Sequence, residues 1–262
     1  MVGGSAAVIS RTLTAPLELY KIQCQNRYMK ESTLRNVIRR GGVRYLWKGN
    51  GINSFRAFPQ FAINYATFEK VKNENFFNIN SETHQNFVAG GFAGIPAMIC
   101  IYPMETIRTR LSLQMCKSHY STPYVAFKTM TWRELYRGLG TSLLGFGPFS
   151  AFNYMFYHYY KDHLVPKQYD PSVVKLLAGG LSGLSAVTIT YPTDIIRKRL
   201  QMQGFDPSVP SYNGIGDCAK KMAKEGGVLS LYRGLLPTYV RIFPCFAIQF
   251  WCFEIGKQLI GF

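Results

Sequence analysis

One six-residue pattern occurs three times at nearly constant spacing, and it constrains the architecture more than any other feature. Pro16-Leu17-Glu18-Leu19-Tyr20-Lys21, Pro103-Met104-Glu105-Thr106-Ile107-Arg108 and Pro192-Thr193-Asp194-Ile195-Ile196-Arg197 each read proline, any residue, acid, two of any kind, base. The prolines lie 87 and then 89 residues apart. A fixed period of this kind means a chain assembled from repeated structural units. Other marks keep the same register. Thirteen residues before each proline stands a glycine pair, Gly3-Gly4, Gly90-Gly91 and Gly179-Gly180, followed by a small residue at Ala7, Gly94 and Gly183. After each motif comes a polar stretch, then Trp47-Lys48-Gly49, Tyr136-Arg137-Gly138 or Tyr232-Arg233-Gly234. Ten residues beyond each of those glycines is a further proline, Pro59, Pro148 or Pro244.

Each repeat therefore reads as a long helix, a surface segment and a second long helix. The repeats are placed at residues 1–80, 81–168 and 169–262 and together form one domain. The first helix is expected from Val2 to Gln25. About 24 residues at 1.5 Å each reach about 36 Å, enough to cross a hydrocarbon layer of about 30 Å. A proline within such a helix removes a hydrogen bond and bends it. Small residues four apart let helix backbones approach closely in lipid, which is the role expected of the glycine pairs. The fold class expected is an all-α membrane protein: six transmembrane helices in three pseudo-symmetric repeats around a cavity. No run of 18 clean apolar residues exists, so a hydropathy scan is expected to miss every span. Helices that show lipid one face and a watery cavity the other would read this way.

Charge narrows the function. Lys and Arg outnumber Asp and Glu by 30 to 14, a formal +16, which points to an anionic partner. A nucleic-acid binder would account for the charge but not for the acid fixed after each kink proline. An enzyme is disfavoured, because His84, His119, His158 and His163 show no metal or triad spacing and no Gly-rich phosphate loop follows a strand. The six cysteines fit no metal pattern and read as reduced thiols. Neither cofactor nor metal is expected. No secretory signal pattern is visible at the start of the stretch.

An arginine at membrane mid-depth is costly and marks function by default. Arg56 and Arg241 stand three residues before Pro59 and Pro244. With Arg11 on the first helix they form a cationic basin suited to phosphates. The matching place in the second repeat holds Gly145-Phe146, with Phe149 nearby. The glycine leaves room, and the rings offer flat surface for a purine.

These motifs, over essentially the whole chain, resemble the mitochondrial carrier family. Its pattern continues with acid-Gly and then aromatic-base-Gly. The acid-Gly element stands as Glu225-Gly226-Gly227 in the third repeat and as Arg40-Gly41-Gly42 in the first, and is missing from the second. The resemblance implies alternating access, short matrix helices, and a matrix-side ring pairing Glu18 with Arg108, Glu105 with Arg197 and Asp194 with Lys21. Gln25 and Gln201 stand where the family carries a bracing glutamine, and Ser112 replaces it in the second repeat. A cytoplasmic ring would pair Glu69 with Lys161 and Glu254 with Lys72, with His158 in place of an acid opposite Lys257. Cardiolipin is implied at Gly49, Gly138 and Gly234.

The run from Gly41 to Asn53 and Tyr102-Pro103-Met104-Glu105 resemble the ATP-magnesium/phosphate carriers. The implied function is exchange of an adenine nucleotide, ATP, ADP or AMP, across the mitochondrial inner membrane by a multi-pass monomer. Carriage with magnesium and exchange against phosphate stay open. No calcium-binding domain is expected ahead of the repeats, hence no calcium control. The alternative is another phosphorylated anion: coenzyme A, thiamine pyrophosphate or a deoxynucleotide.

Overall fold

The structure, a computed structural model, describes residues 2–25, 38–39, 42–74, 82–114, 120, 122–164, 171–205, 209–242, 244–245 and 248. Among these residues the regular structure is helical throughout. The first long segment is two helices, α1 (Val2–Leu13) and α2 (Ala15–Gln25), meeting at Thr14. The hydrogen-bond ladder survives the junction: the Thr14 N–H donates to Ser10 O and the Glu18 N–H to Thr14 O, each at 3.0 Å. Pro16 has no N–H to offer the Thr12 carbonyl. The Trp47 indole donates to that carbonyl instead, at 2.8 Å, so the bend is filled from the next segment of the same repeat.

The second helix of the first repeat is likewise divided, into α3 (Asn50–Phe55) and α4 (Ala57–Asn73), with Arg56 between them. The second repeat has α5 (Glu82–Leu113), the short α6 (Pro123–Thr129) and α7 (Trp132–Leu135), and α8 (Leu139–Tyr159). The third has α9 (Pro171–Met202), α10 (Ile215–Gly226) and α11 (235–242). With 32 residues each, α5 and α9 reach about 48 Å. Among the described residues one segment, Val88–Leu113, is long and apolar enough to pass for a span by composition. This corrects the expectation that a hydropathy scan would miss every helix.

The aromatic-base-Gly triplets start the second helix of each repeat. Gly49, Gly138 and Gly234 take φ of 85°, 89° and 87°, a left-handed turn that a side chain resists. Space forbids a side chain as well. A Cβ at Gly138 would come within 2.9 Å of the Tyr102 hydroxyl, and one at Gly234 within 2.9 Å of Tyr191. Those tyrosines each precede a kink proline. Tyr102 stacks on Tyr136 and donates to Arg137 O at 3.2 Å; Tyr191 stacks on Tyr232 and donates to Arg233 O at 3.0 Å. The first repeat has Ala15 there, and the Trp47 bond replaces the tyrosine link.

Below the kinks, apolar residues one turn apart bury against the surface helices. Ile107 and Leu111 pack with Ala126 and Met130 of the second repeat, and Ile196 and Leu200 with Cys218 and Met222 of the third. The second repeat thus builds its short helix without the acid-Gly element. Thr122 caps α6 by accepting from the Val125 N–H at 3.2 Å, and Thr131 with Glu134 closes a capping box on α7.

In the second and third repeats the glycine pairs do not make the close approach that their spacing suggests. A Cβ at Gly90, Gly91, Gly179 or Gly180 would meet nothing within 4 Å. Close approach falls one turn later, where a Cβ at Gly94 would strike the Phe146 ring at 2.2 Å.

Candidate functional site

A cavity of about 890 Å³ runs down the middle of the helices. Phe68 and Tyr65 line it toward one end, and Lys21, Asp194 and Lys198 toward the other. The three segments that follow the kink prolines, in α2, α5 and α9, converge at the latter end. There Glu18 meets Arg108 at 2.5 Å, Asp194 meets Lys21 at 3.1 Å, and Glu105 bonds Arg197. Each pair joins a different two of the three repeats, so the ring closes the floor of the cavity.

The floor carries more than three pairs. Glu105 also takes Lys198 on Oε1 at 3.1 Å and Arg56 on Oε2 at 3.4 Å. Glu18 offers its second oxygen to Arg241 at 3.8 Å. Two carboxylates are therefore shared between a floor cation and one of the mid-depth arginines. Asp194 is not shared in this way: its second contact is the Gln25 carboxamide, which donates to it at 3.3 Å and to the Tyr191 hydroxyl at 3.1 Å. Gln201 sits differently. Its Oε1 accepts from Thr109 and Lys198, both at 3.3 Å, so it touches the Glu105 cluster through Lys198. In the second repeat the Ser112 hydroxyl turns away to Lys48 O at 3.3 Å.

Arg11, Arg56 and Arg241 all line the cavity. Arg11 donates to Asn53 O at 2.9 Å, which steadies the α3 segment that presents Arg56. Phe146 and Phe149 line it too. Gly145 does not. It is buried against Thr193, with a Cβ clash of 2.6 Å, and lines an adjoining cavity of about 280 Å³ between α8 and α9. Its smallness lets Thr193 approach, and it lines this side cavity together with Phe146, Phe149 and Arg241.

At the mouth, among the described residues, the structure does not bring Glu69 and Lys161 together. Among the described residues no ion pair joins Glu69 to Lys161, and Lys161 is exposed in the π-turn that ends α8. The Lys72 carbonyl accepts from Gln85 at 2.9 Å. His158 packs edge-on against Tyr154, centroids 4.5 Å apart. Glu254 and Lys257 lie outside the described residues.

Sequence reasoning passed over Arg110 and Arg199. Both side chains are 1 % exposed. Arg110 reaches Glu134 at 3.4 Å and donates to the carbonyls of Gln201 and Gln203 at 3.1 Å each, tying the second repeat to the third. Arg199 reaches Glu225 at 3.4 Å. The signal was present: each stands two residues past its motif base, and Gln23 holds that place in the first repeat. Burial alone would raise the Glu134 carboxyl, but bonds from the Thr131 backbone and hydroxyl and the Arg110 charge hold it below the ordinary value. Arg110→Leu should cost about 1–3 kcal/mol, since two carbonyls and a carboxylate lose their donor. Thermal unfolding of the purified protein measures it, and an unchanged midpoint would remove Arg110 from the inter-repeat contacts.

Comparison with known proteins fits this geometry. The family described as mitochondrial carrier protein matches residues 1–77, 80–168 and 169–262. The human mitochondrial adenyl nucleotide antiporter SLC25A24 is 32% identical over 279 residues, covering 100% of this chain and 58% of the relative. The mitochondrial adenine nucleotide transporter ADNT1 of Arabidopsis thaliana is 33% identical over 303 residues, covering 99% and 86%. Solute carrier family 25 member 16 of Mus musculus is 33% identical over 288 residues, covering 98% and 86%. The chain thus spans less than two thirds of the length of some relatives. Three matched repeats, a ring of inter-repeat ion pairs and a cavity above it place it: the chain belongs to the mitochondrial carrier protein family, whose members are mitochondrial membrane transporters and not enzymes.

Proposed function

We propose that the chain exchanges an adenine nucleotide across the mitochondrial inner membrane by alternating access, as a monomer of six transmembrane helices in three pseudo-symmetric repeats. One observation carries the reading: Arg56 and Arg241 line a cavity whose floor is shut by ion pairs, and both are tied to carboxylates of that floor. The Arg56–Glu105 contact joins the first repeat to the second, and Arg241–Glu18 joins the third to the first. A phosphate chain that engages the two guanidiniums replaces both contacts and so removes two inter-repeat ties. Ion pairs of this kind contribute a few tenths to about 1 kcal/mol each when exposed, and buried ones can be net neutral. An affinity between mM and μM supplies about 4–8 kcal/mol. The magnitudes are comparable, so binding can tip the closed floor toward opening. The names of the human and Arabidopsis relatives favour an adenine nucleotide as the anion.

Phe149, and Phe146 seated on Gly94, are proposed to offer the base a flat wall. Glu69, Lys72 and Lys161, with Glu254 and Lys257, are proposed to close the mouth in the opposite state, and the open space beside Gly90 and Gly180 leaves room for that closure. Gly49, Gly138 and Gly234, each at a helix start, are the proposed cardiolipin contacts. Exchange in liposomes loaded with ATP tests the function. Uptake of external ATP, ADP or AMP against internal ATP is expected. No exchange across ATP, ADP, AMP, phosphate and coenzyme A would end the nucleotide reading, and uptake confined to coenzyme A, thiamine pyrophosphate or a deoxynucleotide would replace it.

A further inference from the structure

The charges lining the cavity do not cancel. Among the described residues that line it, seven cations face three carboxylates. The three floor pairs neutralise one another, which leaves Arg11, Arg56, Arg241 and Lys198 as an excess of four. Three of these sit above the floor. Lys198 is different. It stands six residues past Pro192, where the first repeat has Ile22 and the second Thr109, so it breaks the threefold repetition within the floor itself. Its ammonium is buried between the second and third repeats, 3.1 Å from Glu105 Oε1, 3.4 Å from Thr109 Oγ1 and 3.3 Å from Gln201 Oε1. Glu105 already has Arg197, so Lys198 is not needed to complete the ring.

We propose that this excess selects an anion by its charge, and that Lys198 sets the count: the cavity takes a metal-free triphosphate in preference to its magnesium complex, a diphosphate or inorganic phosphate. This rests on the nucleotide reading above and narrows it. A terminal phosphate carries about −1.5 to −2 at neutral pH, and two inner phosphates bring the chain to about −4. Such an anion matches the net excess of four cations. Bound magnesium lowers the charge by two and leaves a net excess of two buried cations in the cavity, which is costly at membrane depth. Among the described residues the three floor carboxylates are the only acids lining the cavity, and each already holds a cation. None is left to receive a divalent ion.

The test uses the full chain in ATP-loaded liposomes, with external labelled ATP supplied once with a chelator and once with saturating magnesium. Uptake of free ATP should exceed that of the complex by about tenfold, a difference in binding of about 1.4 kcal/mol for two excess charges that the floor carboxylates partly offset. Lys198→Thr, which restores the residue of the second repeat, should lower that ratio toward one, whereas Lys198→Arg should keep it. Thermal stabilisation of the unsubstituted protein by free ATP against magnesium-ATP gives the same comparison without a variant, and should favour free ATP. Equal or faster uptake of the magnesium complex would overturn the charge rule while leaving nucleotide exchange in place. Absence of uptake for any nucleotide in either condition would overturn the nucleotide reading and this inference with it.

Discussion

Glu105→Gln should be the most damaging single change in the floor. Its carboxylate serves three cations, Arg197 and Lys198 on one oxygen and Arg56 on the other. All four side chains are at least four-fifths buried. Removing one charge there leaves three cations crowded without a counter-ion, and such losses cost about 3–5 kcal/mol. Asp194→Asn should cost less, about 1–3 kcal/mol, because Asp194 holds only Lys21 and the neutral Gln25. The larger loss moves the closed-to-open ratio of the floor by a factor of about 10² to 10⁴. Two measurements separate the effects. Thermal unfolding reports the stability difference between the two variants. Alkylation of Cys245, which lines the cavity, reports the state, in a background where the other five cysteines are replaced. A reagent added from the mouth side should label Cys245 more slowly in Glu105→Gln than in the parent. Equal midpoints and equal labelling for the two variants would mean that the three floor acids share the load evenly, against the asymmetry seen in the structure.

That asymmetry was only half legible in the chain. The repeat makes the floor pairs readable, because a base three residues after an acid, in triplicate about an axis, leaves each acid facing the next repeat's base. What repetition cannot reveal is where the copies differ in function. Lys198, in place of Ile22 and Thr109, is visible as a difference but not as a contact, since its partner Glu105 lies in another repeat. The sharing of Glu105 and Glu18 with Arg56 and Arg241 was hidden for the same reason: the residues are 49 and 223 positions apart and meet only in three dimensions. The smallness of Gly145 serves helix packing and cavity room together: Thr193 packs on it, and it lines a side cavity with Arg241. The glycine pairs of the second and third repeats work in the opposite sense: a Cβ on them would meet nothing within 4 Å, and the close approach comes at Gly94.

Arg56→Ala and Arg241→Ala should abolish exchange while leaving the protein folded, the reverse of the Glu105 pattern. Each guanidinium is partly held by a floor carboxylate, but each of those carboxylates has another cation: Glu105 keeps Arg197 and Lys198, and Glu18 keeps Arg108. Loss of either arginine therefore strands no charge, and the cost in stability should stay within about 1 kcal/mol. Transport should respond far more strongly. A charge-assisted contact to phosphate in a desolvated site is worth about 1.5–3 kcal/mol, and the same contact is needed to break the inter-repeat tie. The two losses compound, so kcat/KM for nucleotide exchange should fall on the order of a hundredfold or more. Arg56→Lys separates charge from geometry. It keeps the cation but not the planar fork, so it should recover part of the activity and not all of it. The double variant should be little worse than either single one if both arginines grip one phosphate chain, since a substrate released at one end no longer bridges the repeats. Normal exchange in both single variants would place the substrate elsewhere in the cavity, and a large drop in the unfolding midpoint would make these arginines structural.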